Sequence, residues 1–116
     1  MNRIFIKELE LQASIGIYER EKQAPQRIII SVFMDVENDR AAKSDAIEDT
    51  VSYEEIINTI KKTATARHYN LVESLAEEIA TACLVNKRVL NIELEITKPD
   101  IFKDASGVGI KILRKK

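Results

Sequence analysis

The sequence predicts an α+β domain: one four-stranded antiparallel sheet with two helices covering one face, in the order strand, strand, helix, helix, strand, strand. Three observations carry this expectation. Period-two apolar alternation occurs in two blocks at each end of the chain, and 3.6-residue periodicity occurs in two blocks between them. The connections are short, which favours antiparallel neighbours, and each amphipathic helix needs an apolar sheet face to bury against. The chain of 116 residues has room for one domain, taken here as residues 1–116.

The first strand spans about residues 3–15 and changes phase. Ile4 and Ile6 share one parity, whereas Leu9, Leu11, Ala13 and Ile15 have the other. One extra residue near Lys7-Glu8, a β-bulge, returns them all to one side. Gly16 ends the strand, and Ile17 to Pro25 reads as a polar connection. The second strand, Gln26 to Val36, has apolar side chains at every even position, and Ile29 and Phe33 make its other face partly apolar.

Residues 37–50 are charged and aperiodic, as in a loop. Ser52-Tyr53-Glu54-Glu55 then fits a capping box, and Ile56, Ile57, Ile60 and Ala64 give the first helix a buried stripe. Asn70-Leu71-Val72-Glu73 opens the second helix, whose core face is Val72, Leu75, Ala76, Ile79, Ala80 and Cys83. In the third strand, about Arg88 to Thr97, Leu90, Ile92, Leu94 and Ile96 form the buried row; Val108, Ile110 and Ile112 mark the fourth. Four strands leave two open edges. Lys111 and Arg114 could guard the last of these, or the edge could pair with another subunit. The partly apolar second face and the small size of the domain favour self-association.

Composition excludes several classes of function. Lys and Arg number 18 against 19 Asp and Glu, a formal charge of −1, so there is no broad field for nucleic acid or an anionic membrane. Charges interrupt every apolar run, including the first residues, which leaves no signal-peptide core and no membrane span. A single Cys and a single His allow no internal disulfide and no four-ligand Cys/His zinc site. A free thiol without an export signal favours the cytoplasm.

Most chemistry-bearing residues have structural explanations. His68 reads as an exposed loop residue without a role, Cys83 as a small core side chain, and Arg114-Lys115-Lys116 as a solvated terminus. Gly107 and Gly109 form no phosphate loop, since no helix follows them. Four residues at element ends are more suggestive. Glu21 follows the first strand, Tyr53 and Glu73 open the two helices, and Lys98 extends the apolar row of strand three. A lysine there is partly desolvated or pairs with a carboxylate, and Pro99 holds it extended. Spacing alone leaves the alternatives open. Glu73 can complete a capping box with Asn70, Tyr53 can pack beneath the sheet, Glu21 can be a solvated loop residue, and Lys98 an edge residue.

Four segments in order resolve this. They are Ile15-Gly16-Ile17-Tyr18 with Glu21 five residues after the glycine; Ala41-Ala42-Lys43-Ser44-Asp45 leading to Asp49-Thr50-Val51-Ser52-Tyr53; Asn70 to Glu77; and Ile96-Thr97-Lys98-Pro99 followed by Gly107-Val108-Gly109-Ile110. With these, the whole chain resembles the 7,8-dihydroneopterin aldolases of folate biosynthesis. It departs from many members in having Ile15-Gly16 where they have His-Gly.

The resemblance implies the tunnelling fold, in which ββααββ subunits join edge to edge into a barrel ring, typically an octamer of two tetrameric rings with sites at subunit interfaces. It implies retro-aldol cleavage of a small pterin substrate, 7,8-dihydroneopterin, to 6-hydroxymethyl-7,8-dihydropterin and glycolaldehyde, with no metal, cofactor or Schiff base. Carried over by position, Glu73 anchors the pterin with help from the Val72 backbone. Lys98 is the catalytic lysine, Glu21 orients it and the side-chain hydroxyls, and Tyr53 assists proton transfer from across an interface. The alternatives are a 2′-epimerase of dihydroneopterin or its triphosphate, with Arg20, Lys22 and Lys103 as candidate phosphate contacts, and a non-catalytic pterin-binding ring protein.

Overall fold

The computed structural model describes residues 1–37 and 40–116. Strands β1 (Asn2–Ala13), β2 (Gln26–Val36), β3 (Val89–Lys98) and β4 (Val108–Lys115) form one sheet in the order β1-β2-β3-β4, with every neighbouring pair antiparallel. Helices α3 (Tyr53–Ala64) and α4 (Val72–Leu84) pack against each other and against one face of the sheet. No helix among the described residues is long and apolar enough to cross a membrane. The chain is elongated, with principal extents of 51 × 27 × 22 Å.

The predicted bulge is present. Ile6 pairs with Val32 and Leu9 with Ile30, so Lys7 and Glu8 together oppose Ser31. Glu8 absorbs the extra residue in the left-handed region at φ 57°, and its N–H donates to Ser31 Oγ at 2.8 Å. The β2 row from Ile28 to Val36 is buried at every even position, and Ile92, Leu94 and Ile96 of β3 continue it. Leu90 departs from expectation. The register slips between Asp35 and Val36, and β3 carries an extra residue there. That turns Val89 into the core and leaves Leu90 half-buried.

The helices follow their sequence stripes. Ile56, Ile60 and Ala64 of α3 are buried, and Ile57 at the margin is half-buried. Leu75, Ala76, Ile79, Ala80 and Cys83 form the buried face of α4. The Ser52 hydroxyl accepts the Glu55 N–H at 3.3 Å, satisfying one donor of the first turn of α3. At α4 the expected start shifts: the N-cap is Leu71 and supplies no side-chain cap, so Asn70 and Glu73 form no capping box.

Two segments expected to be irregular contain helix. The first connection holds the one-turn helix α1 (Glu19–Gln23). The segment 37–50 contains α2 (Arg40–Ser44) and a 3-10 turn at Ile47–Asp49, while Asn38 and Asp39 of that expected loop lie outside the described residues. Five-residue helices carry no periodic signal, which is why charge dominates the sequence reading in both places.

The outer face of the sheet carries a partly apolar row, Phe5–Phe33–Glu93–Leu113, in which the two Phe rings stack at 5.8 Å. On the β4 edge, Lys111 pairs with Glu95, and Arg114 turns towards α4 to pair with Glu77.

Candidate active site

Three elements bring their ends together at one end of the sheet. The last residue of β3 is Lys98, whose side chain shares the core-facing side of Ile96 and Leu94 and is only 13% exposed. From α1 comes Glu21, the one buried charged side chain among the described residues. Lys98 Nζ lies 2.6 Å from Glu21 Oε2. The first turn of α4 supplies Val72 and Glu73 to the same cleft, which encloses about 320 Å³. Its apolar walls are Ile17, Leu71, Val72, Val108 and Ile110.

Glu21 is buried because α1 folds it inward. Its carboxylate accepts the Tyr18 N–H at 3.2 Å, the Gln26 amide at 2.9 Å and Lys98. Burial pushes this carboxyl up, but the hydrogen bonds from Lys98, Gln26 and Tyr18 outweigh it and hold it below its ordinary value. The carboxylate is therefore charged, and it fixes the position of Nζ. Gln26 Nε2 also donates to the Ile15 carbonyl at 2.8 Å, so the same amide ties Glu21 to the end of the first strand.

Two glycines permit close approaches at this end of the sheet, one to a side chain and one between strands. Gly16 has φ +126°, and a Cβ there would lie 2.0–2.3 Å from the carboxylate atoms of Glu21. The carboxylate thus occupies the space a side chain would need. At Gly109, opposite Thr97 on β3, a Cβ would lie 1.8 Å from the Ile96 carbonyl oxygen.

The structure therefore brings Glu21, Val72, Glu73 and Lys98 together and does not bring Tyr53. Tyr53 stands 63% exposed at the start of α3 and is not part of the cleft lining. Glu73 is exposed at the cleft mouth, with both carboxylate oxygens free of a capping role. Beside it the first N–H groups of α4 have no intrahelical partner, which favours an acceptor at this point. Of the phosphate candidates, Arg20 and Lys103 line a second cleft of about 400 Å³ behind Glu21, and Lys22 does not. Among the described residues, no cluster of three or more His, Cys, Asp or Glu converges as a metal site.

Sequence reasoning missed three supporting residues. Gln26 looks like the first residue of a strand, and only folding reveals its two acceptors. Arg27 holds the loop after Lys98, through paired bonds of 3.0 and 3.1 Å to Asp100, and grips Glu10 on β1 at 3.0 Å. His68, expected to be exposed, is half-buried and bonded through both ring nitrogens, to Ser14 Oγ at 2.6 Å and the Gly16 carbonyl at 2.9 Å. No local sequence signal marks these contacts, whose partners are 11 to 73 residues away along the chain for the longer ones.

Comparison with known proteins gives consistent results. The family model for FolB, dihydroneopterin aldolase, matches residues 4–113. The dihydroneopterin aldolase of Escherichia coli strain K12 is 32% identical over 98% of this chain and 93% of its own length. Among solved structures, FolB of Vibrio cholerae O1 biovar El Tor strain N16961 superposes with a TM-score of 0.94 at 31% identity, covering 100% of this chain and 98% of that one. The E. coli dihydroneopterin aldolase in complex with neopterin gives a TM-score of 0.93 at 32% identity, covering 98% and 99%.

Proposed function

The chain belongs to the dihydroneopterin aldolase family, lyases of folate biosynthesis, and from that premise we propose how its cleft carries out the retro-aldol cleavage of 7,8-dihydroneopterin. The observation that carries the proposal is the Lys98–Glu21 pair at the floor of a cleft with a free carboxylate, Glu73, at its mouth.

Glu73 anchors the pterin. Two acceptor oxygens match the two hydrogens offered by the 2-amino group and N3, a bidentate arrangement that fixes orientation as well as affinity. The neighbouring α4 backbone at Val72 completes the contact. With the ring so held, the trihydroxypropyl side chain points towards Lys98 and Glu21. In its neutral amine form, Lys98, directly or through a water, takes the proton of the 2′-hydroxyl and becomes the ammonium partner of Glu21. The O–H electrons form the aldehyde carbonyl, the C1′–C2′ bond breaks, and its electrons pass into the C=N bond of the dihydropterin. Glycolaldehyde leaves. Protonation of the resulting enamine at C1′ yields 6-hydroxymethyl-7,8-dihydropterin. Because the substrate carries its own electron sink, the lysine needs no covalent bond to it, and Glu21 serves to hold Nζ and the side-chain hydroxyls in register.

Tyr53 belongs in this scheme as a residue lent to the cleft of a neighbouring subunit. Its exposure, the unpaired edges at β1 and β4, and the partly apolar row Phe5–Phe33–Glu93–Leu113 all support assembly into the tunnelling-fold ring, with two tetrameric rings stacked as an octamer. We place the reaction in the cytoplasm, in keeping with a single unpaired thiol.

The direct test is anaerobic incubation with 7,8-dihydroneopterin followed by chromatographic separation. Equal amounts of 6-hydroxymethyl-7,8-dihydropterin and glycolaldehyde are expected. Dominant 7,8-dihydromonapterin would move the assignment to a 2′-epimerase, and bound but unchanged substrate would make the chain a non-catalytic pterin binder.

A further inference from the structure

The loop between α3 and α4 is sewn onto the end of the first strand. Gly16 N–H donates to the Tyr69 carbonyl at 2.9 Å, and Tyr69 N–H to the Ser14 carbonyl at 3.0 Å, so Ile15 and Tyr69 form a short parallel bridge. The His68 ring spans the same three residues through its side chain, from Ser14 Oγ to the Gly16 carbonyl. A carbonyl oxygen only accepts, so Nε2 carries the hydrogen. Nδ1 then has the lone pair that accepts the Ser14 hydroxyl. One neutral tautomer satisfies both partners.

What His68 holds is not an ordinary peptide. Gly16 is the residue whose missing side chain makes room for the Glu21 carboxylate, and its φ of +126° sets that surface. On the other side, Asn70, Leu71, Val72 and Glu73 begin two residues after His68, just past Tyr69, and form the facing wall of the cleft. We infer that His68 is a positioning residue: its two hydrogen bonds fix the Gly16 peptide beneath Glu21 and set the spacing between that wall and the one carrying Glu73. His68 is not part of the cleft lining, and acts through both walls. The inference rests on the roles given above to Glu21, Lys98 and Glu73.

The geometry makes a chemical distinction available for testing. Glutamine carries its amide nitrogen at about the position of Nε2 and can keep the bond to Gly16, whereas asparagine ends one atom short. Full-length His68→Ala, His68→Gln and His68→Asn should be assayed on 7,8-dihydroneopterin at a temperature where circular dichroism shows each to be folded. His68→Ala and His68→Asn are expected to lose at least about tenfold in kcat/KM, mostly in kcat, as misplacement of reacting groups does. His68→Gln should recover most of this. Wild-type kcat/KM in His68→Ala with only a lowered Tm would reduce the residue to a structural role and overturn the inference. So would a His68→Gln no better than His68→Asn, and that comparison decides alone if the alanine variant fails to fold. Lys98→Ala is measured alongside. An inactive wild type, or an active Lys98→Ala, would refute the reading of the site itself. An active wild type, a dead Lys98→Ala and a flat His68 series would refute only the positioning role.

Discussion

Replacing Gly16 with alanine should damage the protein through one identifiable contact. The added methyl would sit 2.0–2.3 Å from the Glu21 carboxylate, far inside van der Waals contact, at a backbone φ of +126° that L side chains avoid. The backbone strain alone costs about 1–3 kcal/mol. Relieving the clash means moving the carboxylate, which gives up one or two of its bonds from Lys98, Gln26 and Tyr18, for roughly a further 2–4 kcal/mol since these are hydrogen bonds to a charged group. A total of about 3–7 kcal/mol is a large share of the 5–15 kcal/mol typical of a domain. Glu21→Ala removes the obstacle, so in that background Gly16→Ala should cost only the strain. A double-mutant cycle measured by urea unfolding, at one fixed protein concentration, should then give a coupling of about 2–4 kcal/mol. Equal cost of Gly16→Ala with and without Glu21 would refute the packing argument, and with it the view that Gly16 is there to seat the carboxylate.

Other expectations follow from the same site. Lys98→Ala should abolish turnover while leaving pterin binding largely intact by fluorescence titration, and Glu73→Ala should do the reverse, raising Kd by tenfold or more, on the order of one charged hydrogen bond. If Tyr53 serves a neighbouring subunit, Tyr53→Ala and Lys98→Ala should each be inactive alone, yet regain up to about a quarter of wild-type activity when co-expressed, because that fraction of clefts joins Lys98 of a Tyr53→Ala copy to Tyr53 of a Lys98→Ala copy. Co-expressed protein without activity would put Tyr53 outside the reaction. Stability should depend on acid in a defined sense. The Glu21 carboxyl is held below its ordinary value of 4.5 in the folded protein, so its contribution is fully present above that pH and is lost as pH falls through the folded value. Thermal midpoints taken from pH 7 to pH 3 should fall in that window, and less steeply in Glu21→Gln.

The sequence was most legible where a pattern repeats. Five alternating apolar residues place β2, the parity break between Ile6 and Leu9 reveals the bulge, and stripes on α3 and α4 identify nearly every buried helical residue. Candidate residues were also visible, but their setting was not. Glu21 looks solvated in a run of charges, and becomes buried only because a one-turn helix turns it beneath Gly16. Glu73 lies three residues from Asn70, as a capping box requires, yet the helix starts one residue later and frees the carboxylate. Arg27 and His68 act through bonds to residues distant in sequence, Gln26 reaches back to both Glu21 and Ile15, and no periodicity encodes such partners. Local rules thus describe the scaffold, whereas the site is made of exceptions to them.

The elongated shape of the chain has a further consequence. A compact chain of this length would have a radius of gyration of about 13 Å, against the 15.2 Å found here. A body drawn out in this way has much surface for its volume and a thin core, so in the ring proposed above part of its cohesion would come from neighbours. Dilution would then act on it as a denaturant. The thermal midpoint should rise with protein concentration, and a substitution at the β1 or β4 edge should weaken the fold at nanomolar concentration while passing unnoticed at micromolar.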